Sequence, residues 1–383
     1  MPFASALSQH PVTAEAVGEV AGQVLDRLGP APDLALLFVT SPHADSLGQA
    51  GVALARILGP GVVLGCAAES VAGTGREVER RPAVSLWAGR WEGRTEPVLA
   101  VRLEAAGPAG PILGWPDDLP FEPRTLLLLA DPFSFPADAF FGGISGWSPS
   151  LSVVGGMASA AAGAPGGNRL LLDDQVVASG AVGVLLGPGL PVATVVSQGC
   201  RPIGHPLVVT RADGNIVHEL AGQPPMQRLL ALARSGLSQR EVALINEGGL
   251  HLGRVVDERK PEFGPGDFLI RNVLGADQEA GALAVNDHME TGTTVQFHLR
   301  DAEAAHHDLR ELLAGRRADA ALLVTCNGRG TRLFGRPDHD AAAVAEALGP
   351  VPTGGFAAAG EFGPVGGHNF VHGFTASVAL FTG

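Results

Sequence analysis

The sequence predicts a mixed α/β fold, α+β in overall make-up, in which repeated β-α-β-β units form layered sheets with flanking helices. Three observations predict it. Continuous apolar runs recur at 34–39, 125–131 and 320–326, "LALLFV", "TLLLLAD" and "AALLVTC", and such runs read as strands buried on both faces. Each is followed by a Gly-led strand of small residues, "GCAAES", "GGMASA" or "GGFAAAGE", and then by an apolar return strand, "AVSLWAG", "GAVGVLLG" or "ASVALF". One order of parts met three times is an internal repeat.

The first unit is led by a helix over 13–28, where Val17, Val20, Ala21, Val24, Leu25 and Leu28 share one face. Thr13 is the expected N-cap, and Gly29-Pro30 stops the helix. The strand at 34–39, a helix over 46–58, a small-residue strand over 61–69 and the return strand over 83–89 follow. The third unit has a helix over 338–349, a strand over 353–361 and a return strand over 376–381. Its stretch 360–375, "GEFGPVGGHNFVHGFT", is expected as the loop between those two strands, glycine giving room for close backbone approach.

A different region, 206–315, is inserted before the third unit. Asp213-Gly214 marks a hairpin within 208–220, a helix with Pro at its start covers 224–236, and 241–248 reads as a strand. Strands over 267–285 and 294–300 follow. A helix over 301–315 is capped by Asp301 and closed by Gly315.

Composition removes several function classes. Hydrophobic residues make up 46% of the 383 and charged ones 17%, as in globular proteins with a sizeable core. Acidic residues outnumber basic ones by 39 to 26 with no basic cluster, so nucleic acid and anionic membrane are not expected partners. Lys260 is the only lysine, in a polar run, which leaves no Walker lysine and no buried Schiff-base candidate. Cys66, Cys200 and Cys326 lie far apart without a CxxC pair, which speaks against disulfides and zinc fingers and for a reducing compartment. The N-terminus has no signal-peptide pattern, and the uncharged run 176–196 is broken by "GPGLP" into two strands and a turn rather than a span.

The segments "DLALLFVTSPHAD", "VVLGCAAES", "GCRPIGHPLVVTRADGNIVHELAGQP", "DFLIRNVLGADQEAGALAVNDHMETGTTVQFHLRDAEAA", "TCNGRG" and "GEFGPVGGHNFVHGFTASVALF", in this order and spacing, resemble the FIST family. The resemblance implies paired domains, a FIST N-type domain over 33–220 and a FIST C-type domain over 221–383, after a lead-in of residues 1–32. It also implies a sensory module of signal transduction that binds a small ligand, an amino acid or similar carboxylate being favoured. Other members carry output domains; here residues 1–32 leave no room for one. The expectation is therefore a stand-alone cytoplasmic protein that signals through an output protein partner and uses no cofactor.

An amino-acid pocket needs a cationic and an anionic anchor. Arg329 in "TCNGRG", at the end of a buried strand, is the first candidate for the anion clamp, with Cys326 and Asn327 beside it. Cys326 reads either as a thiol activated by that charge or as a small buried hydrophobe. Cys200, Arg201 and His205 in "GCRPIGHP" repeat this chemistry, and Glu69, next to Cys66 in "GCAAES", and Glu361 are candidate ammonium anchors. His368 and His372 have the i, i+4 spacing of a zinc pair on a helix, but the surrounding glycines oppose a helix and an extended chain separates them by ~13 Å. No metal is expected; His368, Asn369 and His372 are read as neutral donors and acceptors. Two alternatives stay open: a cofactor-free enzyme using Cys326 with His368 or His372, and a protein-interaction scaffold. No GxSxG, HExxH or phosphate-binding glycine loop supports the former.

Overall fold

Leu34–Thr40, Thr125–Ala130 and Ala320–Cys326 are strands in which every residue is buried, so the three apolar runs are strands covered on both faces. They belong to a computed structural model that describes residues 2–91, 98–107, 110–161, 163–264 and 266–382. The chain divides into two units, one of Met1–Val196, Leu309–Val371 and Thr375–Gly383, the other of Ser197–Asp308 and His372–Phe374.

In the first unit, repeat 1 runs β1 (Phe3–Ser8), α1 (Thr13–Leu28), β2 (Leu34–Thr40), α2 (Leu47–Leu58), β3 (Val62–Ala68), a hairpin of β4 (Ser70–Gly73) and β5 (Arg76–Glu79), and β6 (Val84–Gly89). Repeat 2 runs β7 (Leu99–Ala105), β8 (Ile112–Leu113), β9 (Thr125–Ala130), α3 (Ala137–Trp147), β10 (Ser152–Met157), a hairpin of β11 (Leu170–Leu172) and β12 (Gln175–Val177), and β13 (Ala181–Leu186). The second unit interrupts repeat 3. It enters after β14 (Val192–Ser197) with β15 (Cys200–Asp213), β16 (Ile216–Leu220), α4 (Pro225–Ser235), α5 (Gln239–Asn246), β17 (Leu250–Val255), β18 (Phe268–Ala276), β19 (Leu283–Val285) and β20 (Thr294–Arg300). After α6 (Ala302–Leu313), repeat 3 continues with β21 (Ala320–Cys326), α7 (Thr331–Phe334), α8 (His339–Leu348), β22 (Thr353–Ala358), a hairpin of β23 (Glu361–Val365) and β24 (His368–His372), and β25 (Ala376–Phe381).

Each repeat pairs its two central strands in parallel, β2 with β3, β9 with β10 and β21 with β22. The parallel connection requires a crossover, which the intervening helices supply. The α2 helix shows why one forms there: Leu47, Ala50, Leu54 and Leu58 are buried at helical spacing, and Gly59 at φ 60° ends it in the left-handed conformation. The return strands β6, β13 and β25 then pair antiparallel with β2, β9 and β21.

The hairpins do not stay at home. The β11/β12 hairpin of repeat 2 extends β3 of repeat 1, β23/β24 of repeat 3 extends β10 of repeat 2, and β4/β5 of repeat 1 extends β22 of repeat 3. This exchange closes a ring of three sheets, so no repeat completes its sheet alone. Inward-facing side chains of all three sheets, among them Phe38, Leu127, Val184, Phe356 and Phe381, share one core. Phe38 stacks on Phe356 at 5.0 Å and Trp87 meets Phe381 at 4.8 Å, joining sheets 1 and 3. Outer faces are covered separately, by α1 and α2, by α3, and by α6 and α8.

Gly65, Gly155 and Gly355 show how closely the repeats correspond. A Cβ on each would lie 2.2, 2.0 and 1.8 Å from the carbonyl oxygen of Leu37, Leu128 and Leu323 in the neighbouring parallel strand. Only glycine fits there. Counting from these anchors gives equivalent positions throughout the three repeats.

The second unit is a closed six-stranded barrel in the order β15, β16, β19, β18, β17, β20. Val209, Leu252, Val285, Phe297 and Leu299 are among its core residues, and α4 contributes Leu229. Asp301 Oδ1 accepts from the Glu303 and Ala304 N–H groups, the expected cap of α6.

Three expectations are corrected. Residues 241–248 lie mostly in a helix, α5, fixed by a capping box between Ser238 and Glu241; a short "VALI" run does not distinguish strand from helix. Thr13 does not cap α1: the helix starts on it, and its Oγ1 bonds His43 Nδ1 at 2.8 Å. The stretch 360–375 is a hairpin rather than a loop, because Gly366 and Gly367, at φ 59° and 82°, form the two-residue turn that suits twisted strands.

Candidate functional site

The carboxyl ends of the six central strands meet at an open pocket of ≈ 490 Å³ in the first unit. Four residues beyond Leu37, Leu128 and Leu323 come Ser41, Pro132 and Asn327; four beyond Gly65, Gly155 and Gly355 come Glu69, Ser159 and Ala359. All six line the pocket. Strand ends in parallel pairs leave backbone and side chains free to face a ligand, which is why sites recur there. Here three such ends converge.

The charge lies at one side. Glu69 accepts from Arg332 through both carboxylate oxygens, at 2.8 and 3.3 Å, and Arg332 also donates to the Asn327 carbonyl at 2.8 Å. Arg332 is exposed and Glu69 partly so, which leaves the pair open to exchange partners at small cost. Ser159 Oγ accepts from the Glu69 N–H at 2.9 Å and donates to the Ala357 carbonyl. Deeper, buried Asn168 donates to Asp131 Oδ1 at 2.9 Å and accepts from the Ala161 N–H at 3.0 Å. Phe133 stands exposed at the rim.

Behind the Asn327 side lies a buried ionisable cluster. Arg329 binds Asp340 with two hydrogen bonds of 2.7 and 2.8 Å, and His339 Nδ1 donates to the same carboxylate at 2.9 Å. Burial alone would raise the Asp340 carboxyl; the Arg329 charge and hydrogen bonds outweigh it and hold the group well below the usual carboxylate range. Glu361 is buried with Oε2 accepting from the Thr375 N–H at 3.0 Å and its hydroxyl at 2.7 Å. Its Oε1 is buried without a hydrogen-bond partner. Burial pushes Glu361 up to about 8, against the opposing pull of Thr375 and Arg329. Glu77 is also pushed up to about 8, by burial and by the Asp340 charge.

Residues 33–223 match the FIST N domain and residues 226–364 the FIST C domain. The chain belongs to the FIST family. FIST domains are in general sensory domains of signal transduction. A relative in Mycobacterium bovis, described only as uncharacterized, is 43% identical over 379 residues, covering 97% of this chain and 96% of the relative. An uncharacterized Mycobacterium tuberculosis protein is 42% identical over 388 residues, with 98% of each chain covered. Among the described residues no helix is long and apolar enough to cross a membrane.

The FIST match places the expected residues on both sides of its division. Within the FIST N stretch Glu69 lines the pocket, and Cys66 is a core residue of β3 whose thiol burial pushes up. Cys200, Arg201 and His205 sit on β15 of the barrel, where Arg201 binds Asp301 and Glu241, each at 3.0 Å. In the FIST C stretch Asn327 lines the pocket while Cys326 and Glu361 pack together behind it. Arg329 departs from expectation: it is only 2% exposed and engaged by Asp340, because a guanidinium inside a core must be paired. His368, Asn369 and His372 lie on β24, beyond the matched stretch. Asn369 is a structural clamp, accepting from the Val153 N–H at 2.8 Å and donating to the Leu151 carbonyl at 2.7 Å.

Sequence reasoning missed Arg332, Ser159 and Asn168. Ser159 had a signal, since "GGMASA" puts it opposite Glu69 of "GCAAES" in register. Arg332, three residues past Arg329 on α7, had none stronger than its place after a strand end.

Proposed function

We propose that this FIST protein senses a small zwitterion or carboxylate of amino-acid size and passes the signal to a protein partner. The observation that carries the reading is the Glu69–Arg332 pair inside a pocket of ≈ 490 Å³. A carboxylate ligand replaces Glu69 on the Arg332 fork, while an ammonium group meets Glu69, so each charge keeps a partner and little desolvation is left unpaid. Asn327 and Ser159 add neutral hydrogen-bonding groups, and Pro132, Phe133 and Ala359 offer an apolar wall.

A thermal-shift screen of amino acids and small carboxylates tests this. A ligand at a hundredfold excess over Kd stabilises folding by ~2.7 kcal/mol, a shift of a few degrees. Arg332→Ala and Glu69→Gln should remove the shift and leave the unliganded melting temperature nearly unchanged, since an exposed pair contributes little to stability. A shift that survives both substitutions would place the ligand elsewhere.

A further inference from the structure

A groove in the first unit runs along β1, the outermost strand of the first sheet. The Gly89 carbonyl is taken by the Asp33 N–H on the β2 side, so the β1 residue opposite, Phe3, and with it Ser5, turn their backbone groups away from β6. On that outward side the Ser5 carbonyl accepts from Arg27 Nη1 at 2.8 Å, and the Ser5 N–H points the same way. Arg27 stands one turn after Gln23 on α1, which puts both side chains on one helix face. Across the groove, the two-residue turn Thr74-Gly75, with Gly75 at φ 66°, joins β4 to β5 and brings in Arg76 as the first residue of β5. The Thr74 hydroxyl lies 3.1 Å from Ser5 Oγ and accepts from the Thr353 N–H at 3.0 Å, which fixes this turn against β1 and β22.

The groove has two lobes, of ≈ 400 and ≈ 180 Å³, that share Ser5, Arg27 and Thr74. Phe3, Pro350 and Pro352 wall the larger lobe, while Gln23 and Arg76 line the smaller. Among the described residues neither lobe has a carboxylate in its lining, in a chain whose net charge is −13. Arg27 and Arg76 are instead held by neutral acceptors, the Ser5 carbonyl and Gln9 Oε1, each at 2.8 Å. A guanidinium carries five N–H donors, so each arginine is oriented and still has donors to give. Two like charges facing one concavity favour an anion between them.

We propose that this groove binds a small phosphate monoester, with the phosphate between Arg27 and Arg76 and its apolar substituent against Phe3, Pro350 and Pro352. A monoester carries nearly two negative charges at neutral pH and three terminal oxygens, enough to engage both guanidinium forks and the Ser5 N–H together. A carboxylate has one charge and two oxygens and leaves one arginine unserved. The groove shares no lining residue with the Glu69–Arg332 pocket, so it is a second site and does not depend on the ligand proposed there.

Calorimetric titration of the full chain with phenyl phosphate, inorganic phosphate and acetate at fixed ionic strength tests this. Phenyl phosphate should bind roughly tenfold more tightly than inorganic phosphate, the gain expected from partly burying one ring, and acetate should bind more weakly than either. Arg27→Met and Arg76→Met should each weaken phenyl phosphate about tenfold, the loss expected of a charge-assisted hydrogen bond. Arg56→Met makes the same change of charge at an exposed position on α2 and should leave binding as it was. Binding undiminished in both groove variants, an equal loss in Arg56→Met, or phenyl phosphate no tighter than inorganic phosphate or acetate would overturn the proposal. Both groove arginines are exposed, so the variants should keep the fold, and if Arg27→Met does not, Arg76→Met decides. Phenyl phosphate binding should persist in Arg332→Ala; its loss there would move the anion to the other pocket and overturn the groove, whatever the amino-acid screen returns.

Discussion

Replacing Arg329 by Met keeps most of the side-chain length and removes the charge that neutralises Asp340. The side chains of this pair are 1% and 0% exposed, so water cannot take over the role of the guanidinium. His339 remains on Asp340 Oδ1, but Oδ2 loses its donor and a carboxylate is stranded in the core. Removing one partner of a buried pair costs ~3–5 kcal/mol. At ~2.1 cal/mol/K per residue over the roughly 270 residues of the first unit, that is a fall in Tm of about 5–9 °C. Trp87, Trp91, Trp115 and Trp147 all lie in this unit, so tryptophan fluorescence follows its unfolding. The Asp340 carboxyl is held low when folded, so the stabilisation is present above its unfolded pKa of ~3.9 and lost only as pH falls below it. With Arg329 gone, burial acts on Asp340 unopposed by that charge and raises its carboxyl, so the deficit should be smaller at pH 6, where the carboxyl protonates more readily, and larger at pH 8. Adding Asp340→Asn to Arg329→Met should recover much of the loss, because no buried charge is then left over. A fall of less than about 2 °C, near the scale of an ordinary surface change, would refute the reasoning.

Gly355→Ala should prevent soluble folding or lower Tm sharply, since its Cβ would sit 1.8 Å from the Leu323 oxygen; Gly22→Ala on α1, with nothing within 4 Å, should raise stability by up to ~1 kcal/mol. Both are read by thermal melts. Glu361 and Glu77 hold protons up to about 8 when folded but release them near 4.5 when unfolded, so the first unit should lose stability as pH rises between those values. Urea titrations across that window should show the decline, and Glu361→Gln should flatten it. In the barrel, burial lowers His251 and His298 to about 4, so stability present above 6.5 should be lost as pH falls towards 4. Amide exchange should detect this in β17 and β20 while tryptophan fluorescence does not change.

How much of this was legible depends on whether the information is local. The apolar runs of β2, β9 and β21 announce strands because burial on both faces demands unbroken hydrophobicity. The Asp213-Gly214 turn and the Asp301 cap are equally local. Hairpin exchange left no such mark, because β11 carries the same apolar face whichever second strand it joins. Arg329 was misread for a related reason. An arginine is usually exposed, and the partner that makes burial tolerable, Asp340, lies eleven residues on in another element. Glu69 and Asn327, which line the pocket, were legible as candidates because each directly follows a recognisable strand, whereas Arg332 depends on the path of a one-turn helix.

The ring of repeats constrains what the pocket can recognise. Three equivalent strand ends supply three equivalent backbone corners, so any directionality must come from side chains. They differ corner by corner: Ser41 and Glu69, Pro132 and Ser159, Asn327 and Ala359. Glu69 is the only carboxylate among the six, and Arg332 joins it from the Asn327 side, which leaves the Pro132 corner with the apolar Phe133. A molecule with three-fold symmetry would leave two of its arms facing the wrong chemistry. The arrangement suits a small ligand with charge at one end and hydrocarbon at the other, and Phe133→Ser should therefore weaken ligands with longer apolar side chains while sparing the shortest. Equal loss across such a series would place the apolar end elsewhere.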